Sequence, residues 1–165
     1  MTFSALPAAF SALPAALSGL TDRESIADAL YRVVLAFDHG DEALLASAVT
    51  EDVTAEMPGS PPAIGIFGLR AAVFDRVAFR LDTTHFLSNI RVSVENGAST
   101  AQASCSVLAQ HVPKGKGFEP GSPKFTSGAM YLCDVVKEEP SGLWKIKNWK
   151  ANIIWVDGDS AVMAV

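Results

Sequence analysis

The chain is short of the residues that would announce a metal centre or a disulfide scaffold. It holds two cysteines and three histidines in 165 residues. Cys105 and Cys133 form no CxxC pair, and too few His and Cys stand at ligand spacing. That removes a zinc site and a disulfide framework from consideration. A buried free cysteine acts as a small apolar residue, and two of them fit a reducing compartment, so the expected location is cytoplasmic. Positive charge is scarce as well: 13 Lys and Arg against 18 Asp and Glu leave a net charge of −5. Such a balance supplies no basic field for a phosphate backbone, so no nucleic-acid partner is expected. No apolar run approaches the ~20 residues a membrane helix requires, and no membrane partner is expected either.

What remains is ordinary for one globular domain, with 49% hydrophobic and 19% charged residues. A chain of this length can bury roughly 70% of the surface its unfolded form exposes. The opening stretch, "MTFSALPAAFSALPAALSGL", is apolar and rich in small residues, and "FSALPAA" occurs twice in tandem, at 3–9 and 10–16. It lacks the basic start of a signal peptide, since the first cation is Arg23, and Pro7 and Pro14 interrupt the apolar run. Residues 1–20 therefore read as an arm packed over the domain or a neighbouring subunit, and 21–165 as the single domain.

The spacing predicts helices first. Thr21 and Glu24 make a capping box, followed by Ile26, Leu30, Val33, Val34 and Phe37 on one helical stripe. Gly40 breaks that helix, and Asp41 is placed to cap a second over roughly 42–49. "TEDVTAEMPGSPP" reads as a short strand entering a loop. "GLRAAVFDRVAFRL" returns to helical spacing through Leu69, Ala72, Val73, Val77 and Phe79. Then the period becomes two. Phe86, Ser88, Ile90, Val92 and Val94 are expected on one strand face, with His85, Leu87, Asn89 and Arg91 on the other. "ENGA" and "EPSG" close two long hairpins, and the Gly/Pro-rich "PKGKGFEPGSPK" between them is a candidate pocket lid. Helices followed by strands imply an α+β fold: a bent antiparallel sheet whose concave face, covered by about three helices, encloses an apolar cavity.

His85 and His111 both stand at strand ends, and Cys105, Val107, Ala109 and His111 share a face. Asp38 lies beside Phe37 at the end of the helical stripe. If the three converge, they suit proton transfer: an imidazole accepts a proton near pH 7, and a carboxylate on its other nitrogen fixes the tautomer. On spacing alone the trio is a weak constellation, because a histidine ending a strand is more often structural. His39, beside Gly40, reads as exposed. Trp144, Trp149 and Trp155 read as core or subunit interface, and Lys145, Lys147 and Lys150 between them as a solvated sheet face.

Four stretches carry a resemblance: "LYRVVLAFDHGDEALLASAVTEDV", "LDTTHFLSNIRV", "LAQHV" and "GLWKIKNWKANIIWVDGD". Across about residues 20–158 the chain resembles the SnoaL-like proteins of the cone-shaped α+β fold shared with nuclear transport factor 2. It is most similar to the branch that includes fungal scytalone dehydratase. The resemblance implies that Asp38 orients His111 while His85 works across the cavity. The family's substrate-orienting residues match Phe37, Met57, Gly128 and Met130 here, where the polar side chains look replaced; Tyr131 and Asn89 are candidate substitutes. The implied activity is a cofactor-independent lyase or isomerase on a small hydrophobic substrate of polyketide or terpenoid type, through dehydration, double-bond migration or rearrangement of an enol. The implied assembly is a homodimer through the outer sheet face, with trimers in some members. The alternatives are a cyclase or pericyclase that works by orienting its substrate, and a non-catalytic binding module of the same fold.

Overall fold

A computed structural model describes residues 14–164. The first "FSALPAA" copy and most of the second lie outside the described residues, so the arm's structure is not addressed. The first helix, α1 (Asp22–His39), starts at the capping box: Glu24 N–H donates to the Thr21 hydroxyl, and Thr21 N–H to the Glu24 carboxylate at 2.7 Å. It stops at Gly40, whose left-handed backbone (φ 65°) costs a glycine nothing. Asp41 then caps α2 (Glu42–Ala48), accepting from Leu44 N–H at 2.9 Å. One α1 side chain breaks the apolar stripe. Arg32 is buried, and its guanidinium donates to the Asp28 carboxylate, the Ser47 carbonyl and the Trp144 carbonyl. A buried guanidinium is tolerated only when its donors are met in this way.

Strand β1 (Val49–Glu56) and the short β2 (Ala63–Ile64) precede a third helical run made of α3 (Gly65–Leu69), a π-helical turn (Arg70–Phe74) and α4 (Asp75–Arg80). The widened turn explains why the expected stripe fails at its end. Buried positions step five residues, from Leu69 to Phe74, before Val77 and Ala78, and Phe79 is left half exposed. Phe74 instead meets Phe37 edge-on, with ring centroids 5.0 Å apart.

Four long strands follow: β3 (Leu81–Ser93), β4 (Thr100–Pro113), β5 (Phe125–Lys137) and β6 (Trp144–Gly158). The sheet order is β2-β1-β6-β5-β4-β3. It is mixed rather than wholly antiparallel, because β1 runs parallel to β6. Tight turns impose antiparallel pairing on neighbours; β1 leaves through a helical crossover instead and is free to pair the other way. Register shifts in three strand pairs bend the sheet around the helices.

One shift corrects the alternation expected for β3. The β3–β4 register breaks between Ser88 and Arg91, where Asn89 adopts φ 53°. Past this bulge the faces exchange, so Ile90, Val92 and Val94 pack on the core with Leu87, while Phe86 and Ser88 are exposed. The described residues close with a 3₁₀ turn (Ser160–Ala164) that buries Val162.

Candidate active site

The bent sheet and the helices enclose a cavity of about 280 Å³. Its wall is mostly apolar, with Val34, Phe37, Val73, Val77, Val107 and Phe125 among its members, and His85 and His111 both open onto it. Helix α1 packs on β3, which sets the first polar contact. The Asp38 carboxylate, at the end of α1, accepts from the His85 ring Nδ1 at 2.6 Å and from the His85 backbone N–H at 2.9 Å. Both side chains are about nine-tenths buried. The carboxylate thus holds the proton on Nδ1 and leaves Nε2 as the ring's acceptor.

The resemblance pairs Asp38 with His111. The structure corrects this: α1 lies over β3, so the carboxylate reaches the histidine of β3 and the one on β4 finds a different partner. His111 Nδ1 lies 2.8 Å from the hydroxyl of Thr83, its direct cross-strand neighbour. Its ring centroid is 5.5 Å from that of His85, at 75°, and it stacks on Phe125 at 6.2 Å. Burial, reinforced by the neighbouring His85, pushes the His111 pKa down to about 4. At neutral pH this ring is an uncharged imidazole, able to donate one hydrogen bond and accept another.

Of the expected substrate-binding residues, Phe37, Met57 and Tyr131 line the cavity. Asn89, Gly128 and Met130 do not. Asn89 sits in the β3 bulge on the outer face, its amide donating to Ser106 Oγ at 3.3 Å. Gly128 and Met130 face outward too, and a Cβ on Gly128 would collide with the Trp155 indole at 2.2 Å. The glycine therefore seats Trp155 on the outer surface. The β5 positions that line the cavity are Phe125, Ser127, Ala129 and Tyr131. A one-residue slip in alignment exchanges the faces of a strand, and correcting it places a serine, Ser127, in the cavity wall after all.

Two donors in the wall lack acceptors among the described residues. The Trp149 indole N–H is buried and unpaired, and no hydrogen bond is made by the Tyr131 hydroxyl. The two rings meet at 5.0 Å. Burial drives the Tyr131 phenol well above its ordinary pKa, so it stays protonated and donating. Burial also raises the Cys105 thiol to about 11, which leaves it a poor nucleophile. The "PKGKGFEPGSPK" loop contributes nothing to the cavity wall. Asp82 pins it by accepting from Gly115 N–H, and the covering residue is Met163 from the final turn. Thr83 is legible in the sequence as the same-face neighbour of His85; Trp149 and Met163 carry no signal of that kind.

A larger groove of about 590 Å³ lies elsewhere, lined in part by Gln102, Asp134 and Asn148. Its amides already bond the Asp134 carboxylate, each at 3.0 Å. It contains no histidine.

This helix-filled, bent sheet is the architecture of the nuclear transport factor 2-like proteins. A Novosphingobium aromaticivorans protein described as nuclear transport factor 2-like, with a cystatin-like fold, superposes with TM-score 0.61 at 22% identity, covering 87% of each chain. A second protein from that organism, named provisionally as a scytalone dehydratase, gives 0.70 at 20% identity over 82% of this chain and 86% of its own. Within that fold the chain belongs to the SnoaL-like domain family, whose profile matches residues 18–150. It is 44% identical over 143 residues to "Terrestric acid biosynthesis cluster protein E" of Penicillium crustosum, covering 87% of this chain and 90% of the relative.

Proposed function

We propose that this protein is a lyase or isomerase of secondary metabolism that moves protons on a compact apolar intermediate without a cofactor. The observation that carries the reading is the Asp38–His85 contact at 2.6 Å, with the His85 and His111 rings both opening onto one apolar cavity. His85 Nε2 takes a proton from the carbon beside a substrate carbonyl, giving an enolate. Tyr131, a protonated donor in the cavity wall, suits the developing charge on that carbonyl oxygen. In a dehydration the enolate electrons expel a hydroxyl from the next carbon, which takes the proton from His85 and departs as water. In an isomerisation the same proton returns to a different carbon. His111, held neutral, donates a hydrogen bond to the departing or accepting atom rather than shuttling charge.

The relative from a biosynthetic cluster supports a role in secondary metabolism. A volume of about 280 Å³ lies at the small end of ligand sites, which favours a substrate of a few rings, of polyketide or terpenoid origin. The test uses the intermediate that accumulates in a host lacking the gene. His85→Gln should abolish its turnover while its affinity stays within a few-fold. Full turnover by that variant would replace acid–base catalysis with orientation alone.

Assembly and location follow as lesser parts of the same proposal. Phe86, Leu108 and Trp155 form an exposed apolar row with Gly128 across the outer face, and a second copy of the chain would cover it. Leu108→Glu should then lower the mass measured by light scattering. Two buried free thiols favour a reducing, cytoplasmic setting, which a fluorescent fusion would show. No helix among the described residues is long and apolar enough to cross a membrane.

A further inference from the structure

The helical wall of the cavity carries one feature that proton transfer leaves unused. Ala72, Val73, Arg76 and Val77 present a single face to the cavity, and three of them are apolar. Arg76 is the exception. No Asp or Glu stands among the residues lining the cavity, so in a chain of net charge −5 its wall holds a fixed cation and no carboxylate. The acid beside Arg76 in sequence, Asp75, is already engaged by Arg70 at 3.2 Å, and Arg70 also holds Glu42 at 2.8 Å. Arg76 makes no ion pair or hydrogen bond among the described residues. Its side chain reaches solvent, whereas Asp38 and His85 lie about nine-tenths buried. The cation thus stands at the mouth of the cavity and the base stands deep.

We propose that Arg76 is the recognition site for an anionic group, a carboxylate or an acidic enolate, on an otherwise apolar substrate. The anion stays at the mouth against the guanidinium, and the apolar body enters with its reacting carbon toward His85. This deepens the proposed function, because it rests on the cavity being the substrate site, and it adds the substrate's charge and its direction of entry. A guanidinium is well matched to such a group, since its fork meets two carboxylate oxygens and it is weakly hydrated for a cation.

The probes are 2-naphthoate and 2-naphthamide, near-isosteres that differ in charge, titrated calorimetrically into the full chain at pH 8 in low salt. The acid should bind about tenfold more tightly than the amide, the scale of one charge-assisted pair at a half-exposed site. Arg76→Gln should weaken the acid alone until the two match, and Arg76→Lys should keep part of the preference. Equal affinities in the unaltered protein overturn the proposal, as does a preference that survives Arg76→Gln. A preference lost in His85→Gln but kept in Arg76→Gln overturns it too, by moving the anion to the imidazole. Equal binding of both probes leaves the proton-transfer reading intact. Failure of both probes to bind removes the cavity as the substrate site, and the two readings fall together.

Discussion

The two histidine corners of the cavity share a ring type and a wall but are held in opposite ways. At the β3 corner a carboxylate grips His85 twice, through Nδ1 and through the backbone N–H. At the β4 corner His111 has only the Thr83 hydroxyl, and burial beside its neighbour keeps it uncharged. The proposed mechanism gives the first ring the role of base, and burial keeps the second uncharged. Proton transfer in an apolar hollow needs this asymmetry, because two imidazoliums 5.5 Å apart would repel at low dielectric.

Substitution at the carboxylate should break the comparison most sharply. Asp38→Asn removes the charge and lets the His85 ring adopt the other tautomer, so turnover should fall by about 10³–10⁴-fold with the fold intact by circular dichroism. A loss under tenfold would mean that the carboxylate is not the partner that matters. The next effect is on stability. The unfolded chain protonates His111 near 6.5, while the folded chain resists until about 4. Stability should therefore fall as pH drops through that window and be unaffected by this group above it, by about 3 kcal/mol in full. Urea titrations across pH should show that component missing from His111→Leu; an unchanged pH slope would contradict a neutral His111.

Smaller effects sharpen the picture. Thr83→Val leaves Nδ1 of His111 without its partner and should cost about fivefold in turnover, since one neutral hydrogen bond is worth about 1 kcal/mol. Thr83→Ser should restore most of it, and equal losses in both variants would assign Thr83 to packing instead. Smallest of all, Met130→Ser alters the outer face and should leave turnover unchanged. A marked loss there would return Met130 to the substrate site.

Local chemistry is legible in the sequence, and cross-chain register is not. The Thr21–Glu24 box, the Gly40 stop and the Asp41 cap need only neighbouring residues, and each stands where the residues put it. His85 and His111 are legible as members of one cavity. Asp38, which bonds His85 from outside the lining, is legible as a carboxylate beside it. Which histidine takes the carboxylate is not, since that depends on α1 lying over β3. The β3 bulge at Asn89 and the one-residue offset on β5 have the same origin: strand alternation carries no mark of where an extra residue enters. The π-turn that buries Phe74 and releases Phe79 is its helical counterpart. The parallel β1–β6 pair joins two strands far apart in sequence, beyond any local pattern.

Arg32 gives the arrangement a lever arm. Its guanidinium bolts the middle of α1 to the carbonyl of Trp144, at the far end of the sheet from the imidazoles. Sliding a helix by one residue moves every atom on it by about 1.5 Å, more than the Asp38–His85 contact could absorb. A change at this remote bolt should therefore show itself in rate before it shows itself in melting temperature, as though a chemical group had been lost where none was touched.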